Sequence, residues 1–159
     1  MTFFENLFKG ATPQEILIHG TWARWIKTLD SILSRSTQST FVGLAVVRGL
    51  AVGACVGNSR AYLFRQEAGC RWLTEGANEA RLGSGSPSAF PIREALSAGD
   101  TIILLSDGVW PNLSPASLNE IVLRVAARKF SEVPNALLDA ARRTGAADDM
   151  TTVALRLLE

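Results

Sequence analysis

The change in residue pattern at Thr40 restricts the fold of this chain more than any other feature. Before it, apolar residues recur at helical spacing, and after it the sequence consists of short apolar runs separated by turn residues. Runs of this length bounded by such turns predict β-strands, and short connections predict antiparallel neighbours. The predicted strands are Phe41 to Val47, Leu50 to Val56, Arg60 to Phe64 and Cys70 to Thr74, with turns at Arg48-Gly49, Asn58-Ser59 and Glu67 to Gly69.

The segment before Thr40 is predicted to be helical. Thr12, Pro13 and Glu15 form a helix start with a cap, a proline at the first helical position and a capping-box acid. Gly20 is expected to divide the region into a short and a longer helix, and the polar run Ser34 to Ser39 ends it. We therefore predict an N-terminal helical segment at residues 1–38, followed by the remainder of a single domain at residues 39–159.

The second half of the chain combines a loop, strands and helices. A glycine-, serine- and proline-rich stretch is predicted to be a functional or mobile loop outside the core. A continuous apolar strand, two helices and a final alternating strand follow. The loop is Glu75 to Pro91, and the strands are Thr101 to Leu105 and Met150 to Leu158. The first helix ends at about Lys129 and begins either near Ser114-Pro115 or at the capping box Ser117 to Glu120. The second helix runs from about Val133 to Arg143.

Size and charge exclude several classes of function. A chain of 159 residues fits one domain, and 47% hydrophobic with 19% charged residues is an ordinary globular balance. The formal net charge of +1 gives no field that would attract nucleic acid or anionic lipid. Met1 to Gly10 contains no long apolar stretch, so it resembles neither a signal peptide nor a membrane span. We expect a cytoplasmic protein that binds neither nucleic acid nor membrane.

A few residues that often carry function have simpler explanations here. Cys55 and Cys70 are predicted to be buried thiols, because they lie in apolar runs. His19 has no cysteine or acidic partner at ligand spacing and is predicted to be a helix residue without a metal. Trp22 and Trp25 fall on the apolar stripe of the predicted helix and are expected in the core or an interface.

Asp107 and Asp148 are the residues that suggest chemistry. Asp107 follows one apolar strand and Asp148 precedes another, so both would lie at the same edge of a sheet if these strands are antiparallel neighbours. Two carboxylates at one edge are the kind of ligand that Mg²⁺ and Mn²⁺ prefer. Aspartates beside glycine are also common in turns for backbone reasons, so the residues alone leave both interpretations open.

Four motifs resemble those of the PPM (type 2C) metal-dependent serine/threonine phosphatases, in the order of that family. Leu104 to Trp110 is similar to its strand followed by S-D-G-x-W/T, and Gly99-Asp100 matches the G-D before that strand. Three further segments match motifs of the family. The segment Ala147-Asp148-Asp149-Met150-Thr151 is similar to its D-N-x-T/S motif, and the segment Val56 to Tyr62 is similar to its V-G-D-S-R-x-Y motif. The segment Ser39 to Gly43 is similar to its S/G-T-x-x-G motif.

The resemblance implies an α+β fold, an α-β-β-α sandwich of two antiparallel sheets that is truncated at the N-terminus. It also implies a Mn²⁺ or Mg²⁺ centre in which metal-activated water attacks phosphoserine or phosphothreonine. By motif position, Asp107 and Asp148 would be metal ligands. Gly108, Asp149 and Asn58 would lie beside the metal, and Gly57, Ser59, Arg60 and Thr40 would have structural roles.

The chain also departs from the family pattern. It contains no D-G-x-G-G motif, Asn58 replaces an aspartate, Pro111 replaces an acidic residue and Asp149 replaces an asparagine. We therefore predict weak or absent phosphatase activity. The alternative is a non-catalytic pseudophosphatase that acts as a protein-binding or regulatory module.

The partners expected from this reasoning are a phosphoserine or phosphothreonine protein, a regulatory protein, or a second copy of the chain. Missing strands would leave a sheet edge exposed, and a homodimer would cover it. Phe3, Phe4, Leu7, Phe8 and the tryptophan-bearing helix are available for this. Met1 and the helix cap favour a natural start of the chain, and the alternative is a fragment whose other strands lie elsewhere.

Overall fold

A computed structural model describes residues 9–33 and 37–158 of the chain. The predictions for Phe3, Phe4, Leu7 and Phe8 and for residues 34–36 lie outside these ranges. The helices are α1 (Pro13–Ile16), α2 (His19–Ile32), α3 (Pro115–Ala126) and α4 (Val133–Arg143), with 3-10 turns at Trp110–Asn112 and Phe130–Glu132. The strands are β1 (Phe41–Val47), β2 (Leu50–Val56), β3 (Arg60–Arg65), β4 (Gly69–Trp72), β5 (Phe90–Ala95), β6 (Thr101–Leu105) and β7 (Thr152–Arg156).

The chain divides into two compact units. Unit 1 comprises Met1–Gly57 and Gly76–Ala95, and unit 2 comprises Asn58–Glu75 and Leu96–Glu159. Unit 1 contains an antiparallel sheet of order β1-β2-β5, and unit 2 contains an antiparallel sheet of order β4-β3-β6-β7. The predicted α+β class with two antiparallel sheets is confirmed. The predicted boundary between residues 38 and 39 stays a prediction.

In unit 1, helix α2 covers one face of the sheet. Trp22 and Ile26 of α2 are buried in one cluster with Val52 and Val56 of β2. Trp25 meets Trp22 edge to face, with ring centroids 5.4 Å apart, so both tryptophans contribute to packing as predicted. The cap of α1 at Thr12 is also as predicted, since its side chain accepts from the Glu15 backbone N–H and its own N–H is bound by the Glu15 carboxylate.

Two details of unit 1 differ from the sequence predictions. Gly20 lies inside α2, and the break between the helices falls at Leu17 and Ile18 instead. The stretch from Glu75 to Pro91 was expected outside the core, but it contains buried Leu82 and the first residues of β5.

Asp30 of helix α2 holds part of this stretch in place. The Asp30 carboxylate accepts hydrogen bonds from the backbone N–H groups of Gly83 and Gly85, at 2.6 and 3.4 Å. A backbone bridge between Ser39 and Leu82 adds a second attachment. The central part of the predicted loop is therefore fixed by hydrogen bonds.

In unit 2, α3 and α4 cover one face of the four-stranded sheet. Tyr62 and Phe64 of β3 and Ile103 and Leu105 of β6 alternate along their strands and point to the same side, as the period of a strand requires. They pack against buried apolar residues of the two helices, which are Leu118, Ile121, Val122, Leu137, Ala140 and Ala141. This core fixes β3 and β6, which carry the candidate site at their ends.

The two cysteines form no disulfide. Cys55 is buried and Cys70 is partly buried, which agrees with the prediction of packed thiols. Burial raises the pKa of the Cys55 thiol to about 12 and that of Cys70 to about 11. Both groups are therefore uncharged at neutral pH.

The structure contains no membrane-spanning candidate among its described helices, since none is both long enough and apolar enough.

Candidate functional site

The strands that carry Asp107 and Asp148 are antiparallel neighbours. β6 pairs with β7 in a register that places Leu105 opposite Thr152. The ladder continues beyond the strands, because the Ser106 N–H donates to the Thr151 carbonyl at 3.1 Å. The segment that follows β6 and the segment that precedes β7 therefore lie at the same edge of the sheet, as the sequence argument required.

The two segments also pack closely at this edge. The Ser106 hydroxyl accepts a hydrogen bond from the Thr151 N–H at 2.9 Å and donates one to the Asp149 carbonyl at 3.4 Å. A side chain at Gly108 would overlap the Asp149 carbonyl oxygen, so only glycine permits this approach. The Ser106 side chain therefore joins the segment after β6 to the segment before β7.

Asn58 binds the Asp107 side chain directly. The Asn58 Nδ2 donates to Asp107 Oδ2 at 3.0 Å, and the indole N–H of Trp110 donates to the Asn58 carbonyl at 2.9 Å. Asn58 Oδ1 is buried and accepts no hydrogen bond from the described part of the chain. One of the two oxygens of the Asp107 carboxylate is therefore engaged by a neutral amide.

The prediction that a short turn at Asn58-Ser59 joins antiparallel neighbours, as in a hairpin, is wrong. β2 belongs to the three-stranded sheet and β3 to the four-stranded sheet, so the strands on either side of Asn58 do not pair. Gly57 precedes it with a φ of 84°, and a side chain there would lie 2.8 Å from Thr40 Cγ2. Gly57 and Thr40 therefore approach each other closely, and the structural roles that their motif positions imply stay predictions.

Arg60 is held between two indole rings. Its guanidinium carbon lies 3.9 Å from the centroid of Trp72 and 3.1 Å from that of Trp110, and Nη1 donates to the Tyr62 hydroxyl at 3.3 Å. Such stacking on aromatic faces stabilises a guanidinium. Sequence reasoning assigned Arg60 a structural role, but it did not identify Trp72 or Trp110, because no local signal relates residues so far apart in the chain.

Asp148 and Asp149 lie on the exposed side of the same edge. Asp148 Oδ1 accepts the backbone N–H of Asp149 at 2.8 Å, which is a local turn contact. Over residues 9–33 and 37–158, no group of three or more His, Cys, Asp or Glu side chains is arranged to hold a metal ion. The assignment of Asp107 and Asp148 as metal ligands therefore stays a prediction.

Comparison of folds identifies several solved phosphatase structures. The S. agalactiae serine/threonine phosphatase is 21% identical, with a TM-score of 0.72 over 84% of this chain and 68% of that chain. The catalytic domain of the serine/threonine phosphatase PstP, in complex with two manganese ions, is 15% identical, with a TM-score of 0.80 over 98% and 77%. At these identities the similarity establishes the fold.

The phosphatase domain of the cell fate determinant SpoIIE from Bacillus subtilis is also similar. It is 18% identical, with a TM-score of 0.55 over 98% of this chain and 71% of that chain. A sequence comparison with curated proteins gave no match.

The family model described as Stage II sporulation protein E (SpoIIE) matches residues 3–158, which is nearly the whole sequence. This match and the fold of unit 2 around the S-D-G segment agree with the PPM resemblance of the motifs. The chain belongs to the SpoIIE family and is a PPM-type serine/threonine phosphatase-like domain.

Proposed function

We propose that this phosphatase-like domain, by itself, hydrolyses phosphoserine and phosphothreonine weakly or not at all. The observation that carries the proposal is the state of Asp107, whose carboxylate is bound by the Asn58 amide. A two-metal centre places its ions roughly 3.5–4 Å apart and needs shared anionic ligands to offset their charge. Among the described residues, no group of three or more His, Cys, Asp or Glu side chains is arranged to supply them.

Manganese is the ion of choice for testing the proposal. The PstP catalytic domain, which shares the fold, was solved with two manganese ions. In the present chain, Asp107 and Asp148 are the carboxylates that motif positions select. A cation held by a pair of partly solvated carboxylates keeps most of its water and binds weakly.

A protein-binding or regulatory role is the second candidate function. Contacts within the protein join Asn58, Asp107, Trp110 and Arg60 at this edge of the sheet. In this candidate role, the edge binds a phosphoserine or phosphothreonine protein or a regulatory protein.

Association of two copies is a further part of this candidate role. β7 is an edge strand of the sheet formed by the described strands, and its Val153 and Leu155 are exposed by 49% and 37%. Exposed apolar residues on an edge strand favour pairing with another chain. Mass measurement in solution tests the homodimer, and a monomer at high concentration would contradict it.

Calorimetric titration with Mn²⁺ tests the state of the metal site. We expect weak heat or none for the unaltered chain, and we expect any heat to disappear in Asp107→Asn. Asp139→Asn is the matched control, because Asp139 is an exposed residue of α4 that pairs with Arg142. Tight binding of two ions that is lost in Asp107→Asn and kept in Asp139→Asn would overturn the proposal.

A further inference from the structure

Unit 2 contains a cavity at the end of its sheet away from Asp107. The cavity has a volume of about 380 Å³ and lies between the C-terminal part of α3 and the start of β6. Thr101, the first residue of β6, lines it, whereas Asp107 follows the last residue of that strand. Small-molecule sites in proteins have volumes of roughly 300–1,000 Å³, so the cavity is large enough for a ligand.

The walls of the cavity are mostly apolar. They include Phe64 of β3 and the α3 side chains Val122 and Leu123, and Leu123 is 39% exposed. A second, more open depression shares Arg156 with the cavity and is lined by Leu157 and Leu158. Leu158 is 76% exposed. The apolar surface therefore extends from inside the cavity to the protein surface.

Arg156 is the charged residue of this cavity. Its Nε donates to the Thr101 hydroxyl at 3.3 Å, and its Nη1 donates to the Ala126 carbonyl at 3.4 Å. The guanidinium lies 4.6 Å from the centroid of the Phe130 ring. No carboxylate in the described ranges pairs with Arg156, and its other N–H groups donate to no described residue. The guanidinium is thus fixed in position while part of its donor edge stays available.

The neighbouring charges do not neutralise Arg156. The buried Asp100 carboxylate is paired with Arg65 at 3.2 Å, and Glu132 is paired with Lys129 at 2.9 Å. The Ala126 carbonyl contributes only the partial negative charge of a helix C-terminus. The described residues that line the cavity therefore carry one positive charge, that of Arg156, beside an apolar wall.

We propose that this cavity binds an amphipathic carboxylate, with its apolar body against Phe64, Val122 and Leu123 and its carboxylate on Arg156. Arginine binds carboxylates through paired, charge-assisted hydrogen bonds. A single guanidinium matches one negative charge, which favours a carboxylate over a phosphomonoester with about −1.5 to −2 charges. The shared chemistry fits either a free fatty-acid-like molecule or the C-terminus of an apolar peptide. This site is independent of the phosphatase-like edge.

Calorimetry with octanoate and octanamide tests the proposal on the unaltered full chain. The two probes have the same apolar body, but only octanoate is charged. We expect octanoate to bind about tenfold or more tightly than octanamide, because hydrogen bonds to a charged group are stronger than neutral ones. Equal affinities, or no binding of octanoate, would overturn the proposal without any variant.

Variants then locate the site. We expect Arg156→Met to remove the preference for octanoate, and Ala127→Phe to block the cavity while keeping the guanidinium. Arg128→Gln is the control, since Arg128 is exposed near the cavity and does not line it. Thermal unfolding verifies that each variant is folded. Octanoate binding that survives both Arg156→Met and Ala127→Phe would contradict the assignment.

A short apolar peptide with a free C-terminal carboxylate, compared with its amidated form, distinguishes the two sources. Tighter binding of the free-carboxylate peptide than of octanoate identifies a polypeptide C-terminus as the ligand. Tighter binding of octanoate identifies a small molecule. Equal binding of the free and amidated peptides, together with equal binding of octanoate and octanamide, would exclude a carboxylate site.

Discussion

The side-chain amide of Asn58 donates a hydrogen bond of 3.0 Å to Asp107, which lies 49 positions later in the chain. This contact joins the start of β3 to the turn after β6, and Trp110 reinforces it through the Asn58 carbonyl. It also leaves Asn58 Oδ1 buried without a donor among the described residues. The PPM motif has an aspartate at this position, so the amide changes the local charge as well as the hydrogen bonding.

Replacing Asn58 by aspartate is expected to destabilise the protein at neutral pH. The substitution removes a donor to Asp107 and places two carboxylates against each other. We expect the free energy of unfolding to fall by about 1–3 kcal/mol, and the loss to shrink as the pH falls and one carboxylate is protonated. Urea unfolding at pH 7 and pH 4 measures both effects.

Asn58→Ala is the control for this experiment. It removes the same hydrogen bond but adds no charge, so its effect on unfolding should depend much less on pH. Equal pH dependence of the two variants would contradict an electrostatic interaction between position 58 and Asp107.

Gly57→Ala is expected to destabilise the protein through both backbone strain and a steric clash. Gly57 has a φ of 84°, and a new methyl group would lie 2.8 Å from Thr40 Cγ2. Gly99→Ala is the matched control, since Gly99 has a φ of 87° and nothing within 4 Å. We expect about 1–2 kcal/mol for the strain alone at Gly99 and a larger loss at Gly57. Chemical denaturation measures the difference, and equal losses would exclude the clash with Thr40.

Gly108→Ala is expected to separate the two segments at the candidate site. The new methyl group would overlap the Asp149 carbonyl oxygen, which belongs to the backbone and cannot move away as a side chain does. We expect a loss of at least about 1–3 kcal/mol and faster amide exchange at Thr151, whose N–H is bound by Ser106. Gly20→Ala, in the first turn of α2 with only Ile18 Cγ2 at 3.8 Å, should instead be neutral or slightly stabilising. Unchanged protection of Thr151 in Gly108→Ala would contradict the close packing of this edge.

The buried thiol of Cys55 is expected to make stability depend on pH in the alkaline range. Burial raises its pKa from 9.0 to about 12, so the folded state disfavours the thiolate. The contribution of the uncharged thiol is therefore fully present below pH 9 and is lost as the pH rises toward 12. We expect the free energy of unfolding to fall more steeply above pH 9 in the unaltered chain than in Cys55→Ala, by on the order of 1 kcal/mol for each pH unit. Identical slopes in the two proteins would show that the thiol does not contribute.

Local sequence signals predicted most elements of the fold. β1, β2, β6 and α4 have the predicted bounds, because each is a continuous apolar or amphipathic run between clear turn or cap residues. The turn between β1 and β2 was also predicted from local residues. Arg48 and Gly49 both have positive φ there, as a tight hairpin requires. Such patterns extend over only a few consecutive residues, so they predict a helix, strand or turn without information on the elements that pack against it.

Contacts over long sequence separations could not be predicted in this way. β5 was missed because, in the run Phe90 to Ala95, only Ile92 is fully buried and Pro91, Arg93 and Glu94 obscure the strand pattern. The change of sheet at Asn58 was read as a hairpin turn, because a short polar connection has the same local appearance in both cases. Nothing in the local sequence indicates that Arg60 stacks between Trp72 and Trp110.

The position of the candidate site could be predicted in part from the sequence. The order of apolar strands and aspartates predicted that Asp107 and Asp148 flank paired strands, and the pairing of β6 with β7 is as expected. The engagement of Asp107 by Asn58 was not predictable, because it depends on how β3 pairs with β6.

We propose that this domain, by itself, lacks effective metal-dependent phosphatase chemistry. The direct test is the turnover of a phosphothreonine peptide by the purified chain with Mn²⁺, beside an intact PPM phosphatase under the same conditions. We predict a rate at least about tenfold lower than that of the intact enzyme. A tenfold difference corresponds to only ~1.4 kcal/mol in the activation free energy, so a small loss of transition-state stabilisation is enough to produce it. A rate within tenfold of the intact enzyme, abolished by Asp107→Asn, would contradict the account.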